Sequence, residues 1–104
     1  INASIDCRNF KHIVFNNSAH DSVGGQPTVG GKIDMRSIAL NVGYKWGKVV
    51  SEESEIRLVL NEIANIDGPA LLEMQVKKGF RKDLSRPTTT PTQNKEMFMN
   101  FIAG

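Results

Sequence analysis

Residues 12–31, HIVFNNSAHDSVGGQPTVGG, change character at a single point. Ile13, Val14 and Phe15 make a short apolar run of the branched and aromatic side chains that pack on a pleated surface. Asn16-Asn17 then turn the chain polar, and two Gly pairs and Pro27 follow with few large side chains. This pattern predicts a strand over 12–15 that ends at Asn16 and opens into a long loop. The sheet to which that strand belongs is decided downstream.

Past the loop, Met35, Ile38, Ala39 and Val42 fall at i, i+3, i+4 and i+7, one face of a helix. Asp34 stands where an N-cap belongs and Gly43 just past the end. A short strand is expected over 46–50. Ser51 is the expected cap of the next helix, with Glu52 and Glu53 at the positive end of its dipole. That helix repeats the apolar spacing through Ile56, Val59, Leu60 and Ile63 and stops before Asp67-Gly68-Pro69. ALLEMQV (70–76) alternates Leu72, Met74 and Val76 against Glu73 and Gln75, as a strand does. KKGFRKDLSRPTTTP (77–91) is a second long loop, basic and bounded by Pro. A last helix, beginning near Thr92 or Asn94, carries Phe98, Phe101 and Ile102 on one face. Residues 1–9 are expected to be a helix end and a loop. Met35, Ile38, Ile56, Leu60, Phe98 and Phe101 are expected to pack in the core. Trp46 has two readings, core or subunit contact.

The order β-loop-α-β-α-β-loop-α predicts right-handed crossovers and a parallel sheet. Such a sheet needs helices on both faces, which three strands and three helices barely provide. The fold class expected is therefore α/β, a parallel sheet of three strands with flanking helices. Residues 1–104 are expected to form one partial domain, the C-terminal part of a doubly wound domain with its other half upstream of Ile1.

Composition narrows the function classes. Thirteen basic and 11 acidic residues leave a formal charge of +2, too balanced to argue for nucleic acid or an anionic membrane. In 77–86 the only aromatic residue is Phe80, which disfavours a single-strand binder with stacking platforms. No apolar run is long enough to span a bilayer. A lone cysteine, Cys7, cannot form an internal disulfide and fits a reducing, cytoplasmic setting.

The first loop has a chemistry of its own. In open α/β sheets, ligands bind beyond the carboxyl ends of the strands, where Asn16 stands. Asn16 and Asn17 offer amide oxygens, His20 and Asp21 further polar groups, and the Gly pairs close backbone approach. Such oxygens suit a hard cation. The same residues are also ordinary turn formers, so composition leaves both readings open.

A strand ending in Asn-Asn resembles the second half of the thiamine-diphosphate motif, which begins with Gly-Asp-Gly. FKHIVFNNSAHDSVGGQPTVG (10–30) and KKGFRKDLSRPTTTP (77–91) together resemble the phosphonopyruvate decarboxylase family, and the likeness covers nearly the whole chain. Three departures stand out: Gly is expected at Ser18, and small residues at Phe80 and Ser85.

The resemblance implies decarboxylation of 3-phosphonopyruvate to phosphonoacetaldehyde, a step of phosphonate biosynthesis, with thiamine diphosphate and Mg²⁺ as cofactors. It implies that Asn17 gives its side-chain oxygen and Ala19 its backbone carbonyl to Mg²⁺, the third protein ligand being the motif Asp, expected upstream of Ile1. Asn16, Asn17, Ala19, His20, Asp21 and Ser22 would line the diphosphate and the mouth of the site. For His20, two roles stand open: proton transfer, or a hydrogen-bonded loop residue. The activating glutamate would come from a pyrimidine-binding domain of the same or a neighbouring subunit, making the enzyme at least a homodimer. Arg81 and Arg86 are candidates for gripping the phosphonate, since guanidinium groups suit bidentate contacts to such oxygens. A solvated basic loop is the other reading of 77–86. The rivals are a sulfopyruvate decarboxylase, whose sulfonate substrate wants the same arginines, and a non-catalytic truncated or regulatory domain.

Overall fold

A computed structural model describes residues 6–104. β1 (Lys11–Asn16) is followed by two two-residue strands, β2 (Ala19–His20) and β3 (Gln26–Pro27). Then come α1 (Met35–Asn41), β4 (Trp46–Val50), α2 (Glu53–Asn65), β5 (Ala70–Gln75) and α3 (Pro91–Ala103). Three strands form a parallel sheet in the order β1-β5-β4, as the alternation of strands and helices predicts. β2 and β3 pair antiparallel inside the first long loop, a small hairpin that the sequence reading left as irregular chain. The expected helix end in residues 1–9 falls partly on 1–5, outside the described residues, and 6–10 carry a turn and no helix.

The chain crosses from β1 to the far strand β4 and then returns one place to β5. Two right-handed crossovers in opposite directions put their helices on opposite faces. On one face Val59 and Ile63 of α2 pack against Val50, Ala70, Leu72 and Met74, with Trp46, Ile56 and Ile66 at the margin. Complete burial of Val59 and Leu72 contributes about 1.5–3 kcal/mol each. α1 covers the other face, where Ala39 is buried beside an open apolar groove lined by Val14, Met35, Ile38 and Leu71. Trp46 resolves toward the core margin, its indole N–H donating to Glu62 Oε1 at 3.2 Å. At the sheet's other end, Arg8 pairs with Asp67 and Lys11 Nζ donates to the Ile66 carbonyl, closing the turn that leads into β5.

Four expectations change. β5 is the central strand and is covered on both faces, so Glu73 is 3% exposed, where the alternation placed it on a polar side. α2 begins one residue later than a Ser51 cap would give, with Glu52 as the cap in extended backbone. α3 begins at Pro91, before Thr92, because Thr90 and Gln93 form a reciprocal capping box and proline suits the first helical position. Phe98 and Phe101, expected in the core, are 62% and 83% exposed, because α3 stands away from the sheet. Ile38 and Leu60 also lie largely outside the core, and Val59 and Ile63 take the buried positions on α2.

Candidate functional site

β1 and β5 are neighbours in parallel register, with Asn16 opposite Gln75. The two long loops therefore leave adjacent strands at the same carboxyl edge, and Val76 N–H extends the pairing by donating to the Asn16 carbonyl at 3.0 Å. The first loop is held from beneath by Asn16, which is buried at 8% exposure. Its Nδ2 donates to Glu73 Oε1 at 2.7 Å and to the Gly30 carbonyl at 3.0 Å. Its Oδ1 accepts from the Ser18 N–H at 3.0 Å, which bends the chain immediately after the strand. Gly30 lies so close that a Cβ there would meet Asn16 Oδ1 at 2.7 Å, so a larger residue would have to displace the Asn16 amide. Ser18 adopts a left-handed backbone at φ 53°, the conformation that the expected Gly takes freely.

Asn17 follows a different pattern. Its Oδ1 accepts from Ala19 N–H at 3.0 Å and its Nδ2 donates to Asp21 Oδ2 at 2.9 Å, which fixes the orientation of the amide. Ala19 stands opposite Pro27, which has no N–H to give the hairpin. The hairpin's cross-bonds instead run from Thr28 to the Ser18 carbonyl and from Gly25 to the His20 carbonyl, each 2.9 Å. Alternation along β2 then turns the Ala19 carbonyl to the outer edge, the same edge as Asn17 Oδ1. An amide oxygen with a spare lone pair and a backbone carbonyl are the donors that a hard cation takes, so the two residues fit Mg²⁺ in kind. Among the described residues, no three His, Cys, Asp or Glu side chains gather as a metal cluster.

The second loop starts against the first. Asp21 Oδ2, already bonded to Asn17, also accepts from the Gly79 N–H at 3.0 Å. Lys78 Nζ donates to the Gly25 carbonyl at 3.0 Å. Beyond these contacts the basic segment is exposed. Arg81 makes a two-pronged pair with Asp83 at 3.0 and 3.2 Å, and Arg86 lies on the surface. Asn16, Asn17, Ala19 and Asp21 are thus brought together, while His20 and Ser22 sit exposed on the outer rim of the hairpin. Glu73 joins this group, and the sequence reading missed it. The signal available was a carboxylate near the carboxyl end of a strand that the topology makes central.

No family model matches the chain. Over 94 residues it is 30% identical to a phosphonopyruvate decarboxylase of Streptomyces viridochromogenes, covering 90% of this chain and 24% of that protein. Over 93 residues it is 28% identical to a phosphonopyruvate decarboxylase of Streptomyces hygroscopicus, covering 89% of this chain and 23% of that protein. The chain spans about a quarter of the length of the curated relatives that it matches. The resemblance read from residues 10–30 and 77–91 is borne out at this level.

Proposed function

We propose that this chain forms part of the diphosphate-binding domain of a thiamine-diphosphate-dependent decarboxylase acting on 3-phosphonopyruvate. The observation that carries the reading is the shared edge. A polar loop with two outward oxygens and a basic segment leave neighbouring strands and are joined through Asp21. Likeness to two proteins named phosphonopyruvate decarboxylase supports the substrate class.

In this reading Asn17 and Ala19 hold Mg²⁺, which neutralises diphosphate charge that the loop's own side chains leave uncompensated. Thiamine diphosphate, when bound, supplies the electron sink that a 2-keto acid lacks. The chain's own residues position and bind. Asn16 and Asp21 keep the loop in one conformation, and Lys78 and Gly79 bring the basic segment to it. Arg81 and Arg86 give the phosphonate its grip, Arg81 exchanging Asp83 for substrate. In the overall reaction the bond between the carboxylate and the 2-keto carbon breaks, carbon dioxide leaves, and a proton takes its place on that carbon. A pyrimidine-binding domain, in the same or a neighbouring subunit, completes the site in a homo-oligomer.

The test compares 3-phosphonopyruvate, sulfopyruvate and pyruvate as substrates of the complete protein that carries this chain, with Mg²⁺ and thiamine diphosphate present. The phosphonate should be turned over best. Arg81→Ala or Arg86→Ala should raise KM for it more than for pyruvate, which lacks the extra anion. Preference for sulfopyruvate would move the assignment to the sulfonate enzyme. Absence of decarboxylation with all three would leave a non-catalytic domain.

A further inference from the structure

Among the described residues Glu73 is the one buried carboxyl group of the sheet, 3% exposed on the face away from Val59 and Ile63. It stands third from the carboxyl end of β5, beneath the first loop, and Asn16 Nδ2 reaches it at 2.7 Å. A carboxyl group in such a place gives up its hydration, and a leucine there would pack without that loss. The core built from Leu72, Val59 and their neighbours lies on the opposite face.

We propose that Glu73 is a positioning residue that sets the conformation of the first loop by orienting the Asn16 amide. An amide has two ends with opposite demands. Glu73 Oε1 accepts from Nδ2 and so draws that end of the amide downward. Nδ2 is then also placed on the Gly30 carbonyl, and Oδ1 is left pointing at the Ser18 N–H. A flipped amide would put an NH₂ group against the Ser18 N–H and an oxygen against the Gly30 carbonyl, losing both bonds. The Ser18 turn in its left-handed backbone is what directs Asn17 and Ala19 to the outer edge. Glu73 therefore acts on the cation edge through Asn16 without touching it. This assignment rests on the proposed function for its ligand, but the loop clamp is independent of it.

The experiment uses the complete protein with Glu73→Leu, which keeps volume and removes the acceptor, and Glu73→Gln, which keeps an acceptor oxygen. Hydrogen exchange over residues 16–30 and over 56–63 is read beside the Mg²⁺ concentration that half-saturates thiamine diphosphate binding. Glu73→Leu should speed exchange over 16–30 and raise that Mg²⁺ concentration, each by about tenfold, with 56–63 unchanged. Glu73→Gln should restore most of both. Unaltered exchange over 16–30 in a folded Glu73→Leu protein would overturn the clamp, whether or not the cofactor binds. Altered exchange with an unchanged Mg²⁺ requirement would overturn the link to the cation edge. If no variant and no parent protein bound thiamine diphosphate, the functional reading would fail, and the exchange result alone would decide the clamp. Should Glu73→Leu fail to fold while Glu73→Gln behaves as the parent, Glu73 holds the fold and the proposal is wrong.

Discussion

Ser18 carries the least comfortable backbone of the first loop, at φ 53°. A non-glycine residue there costs about 1–2 kcal/mol, while glycine lowers that cost but gives up more chain entropy on folding. The Ser18 hydroxyl offsets little, since its contact to Asn16 Oδ1 is a long 3.4 Å. Ser18→Gly should leave stability unchanged or raise it by up to about 1 kcal/mol, read from the unfolding midpoint. A loss of that size would mean that the hydroxyl holds the turn. The residue scale is also where the sequence was most informative and most incomplete. The sequence singles out both Asn16 and Asn17 as candidates, but not the different contacts that they make. Asn16 turns inward to Glu73 and Asn17 outward to Asp21, which depends on a strand neighbour 57 positions away.

Elements show a similar division between local and distant causes. Asp34 caps α1 as its position predicts, accepting from Ser37 N–H at 2.8 Å and from Ser37 Oγ at 2.6 Å. The Ser37 hydroxyl and then its N–H hold the Asp34 carboxyl below its ordinary value. A lowered folded value means that the stabilisation is present above the unfolded pKa, about 3.9, and is lost as pH falls through the folded value. Asp34→Asn keeps a capping oxygen but cannot titrate. Between about pH 5 and 3 the parent chain should therefore lose more α1 helicity than the variant; equal losses by circular dichroism would show that Asp34 contributes nothing to acid sensitivity. The caps of α1 and the start of α3 are local chemistry and could be read within a residue or two. The centrality of β5 could not, because alternation in 70–76 describes a half-buried strand equally well until β1 and β4 are seen to flank it.

For the whole molecule the sequence predicted the order of elements and the parallel sheet, but misjudged how far the apolar residues would be buried. The radius of gyration is 16.7 Å, against about 13 Å for a compact chain of this length. Residues 76–90 carry α3 away from the sheet and leave Met97, Phe98, Phe101 and Ile102 exposed. Ile13 and Phe15 of β1 are 40% and 68% exposed on the face that α2 covers only over its neighbours. Surfaces of this kind drive association. The 104-residue chain should sediment as an oligomer, and Phe98→Asp with Phe101→Asp should shift it toward monomer; a monomeric parent chain would contradict this. Whether the outward oxygens of the first loop hold the cation can be read from calorimetric titration of thiamine diphosphate in the presence of Mg²⁺. The titration compares the complete protein with its Asn17→Ala variant. Affinity should fall by about tenfold or more while the unfolding midpoint changes little, because Asn17 lies at the edge and not beneath the loop. Equal affinity in a correctly folded Asn17→Ala protein would contradict it.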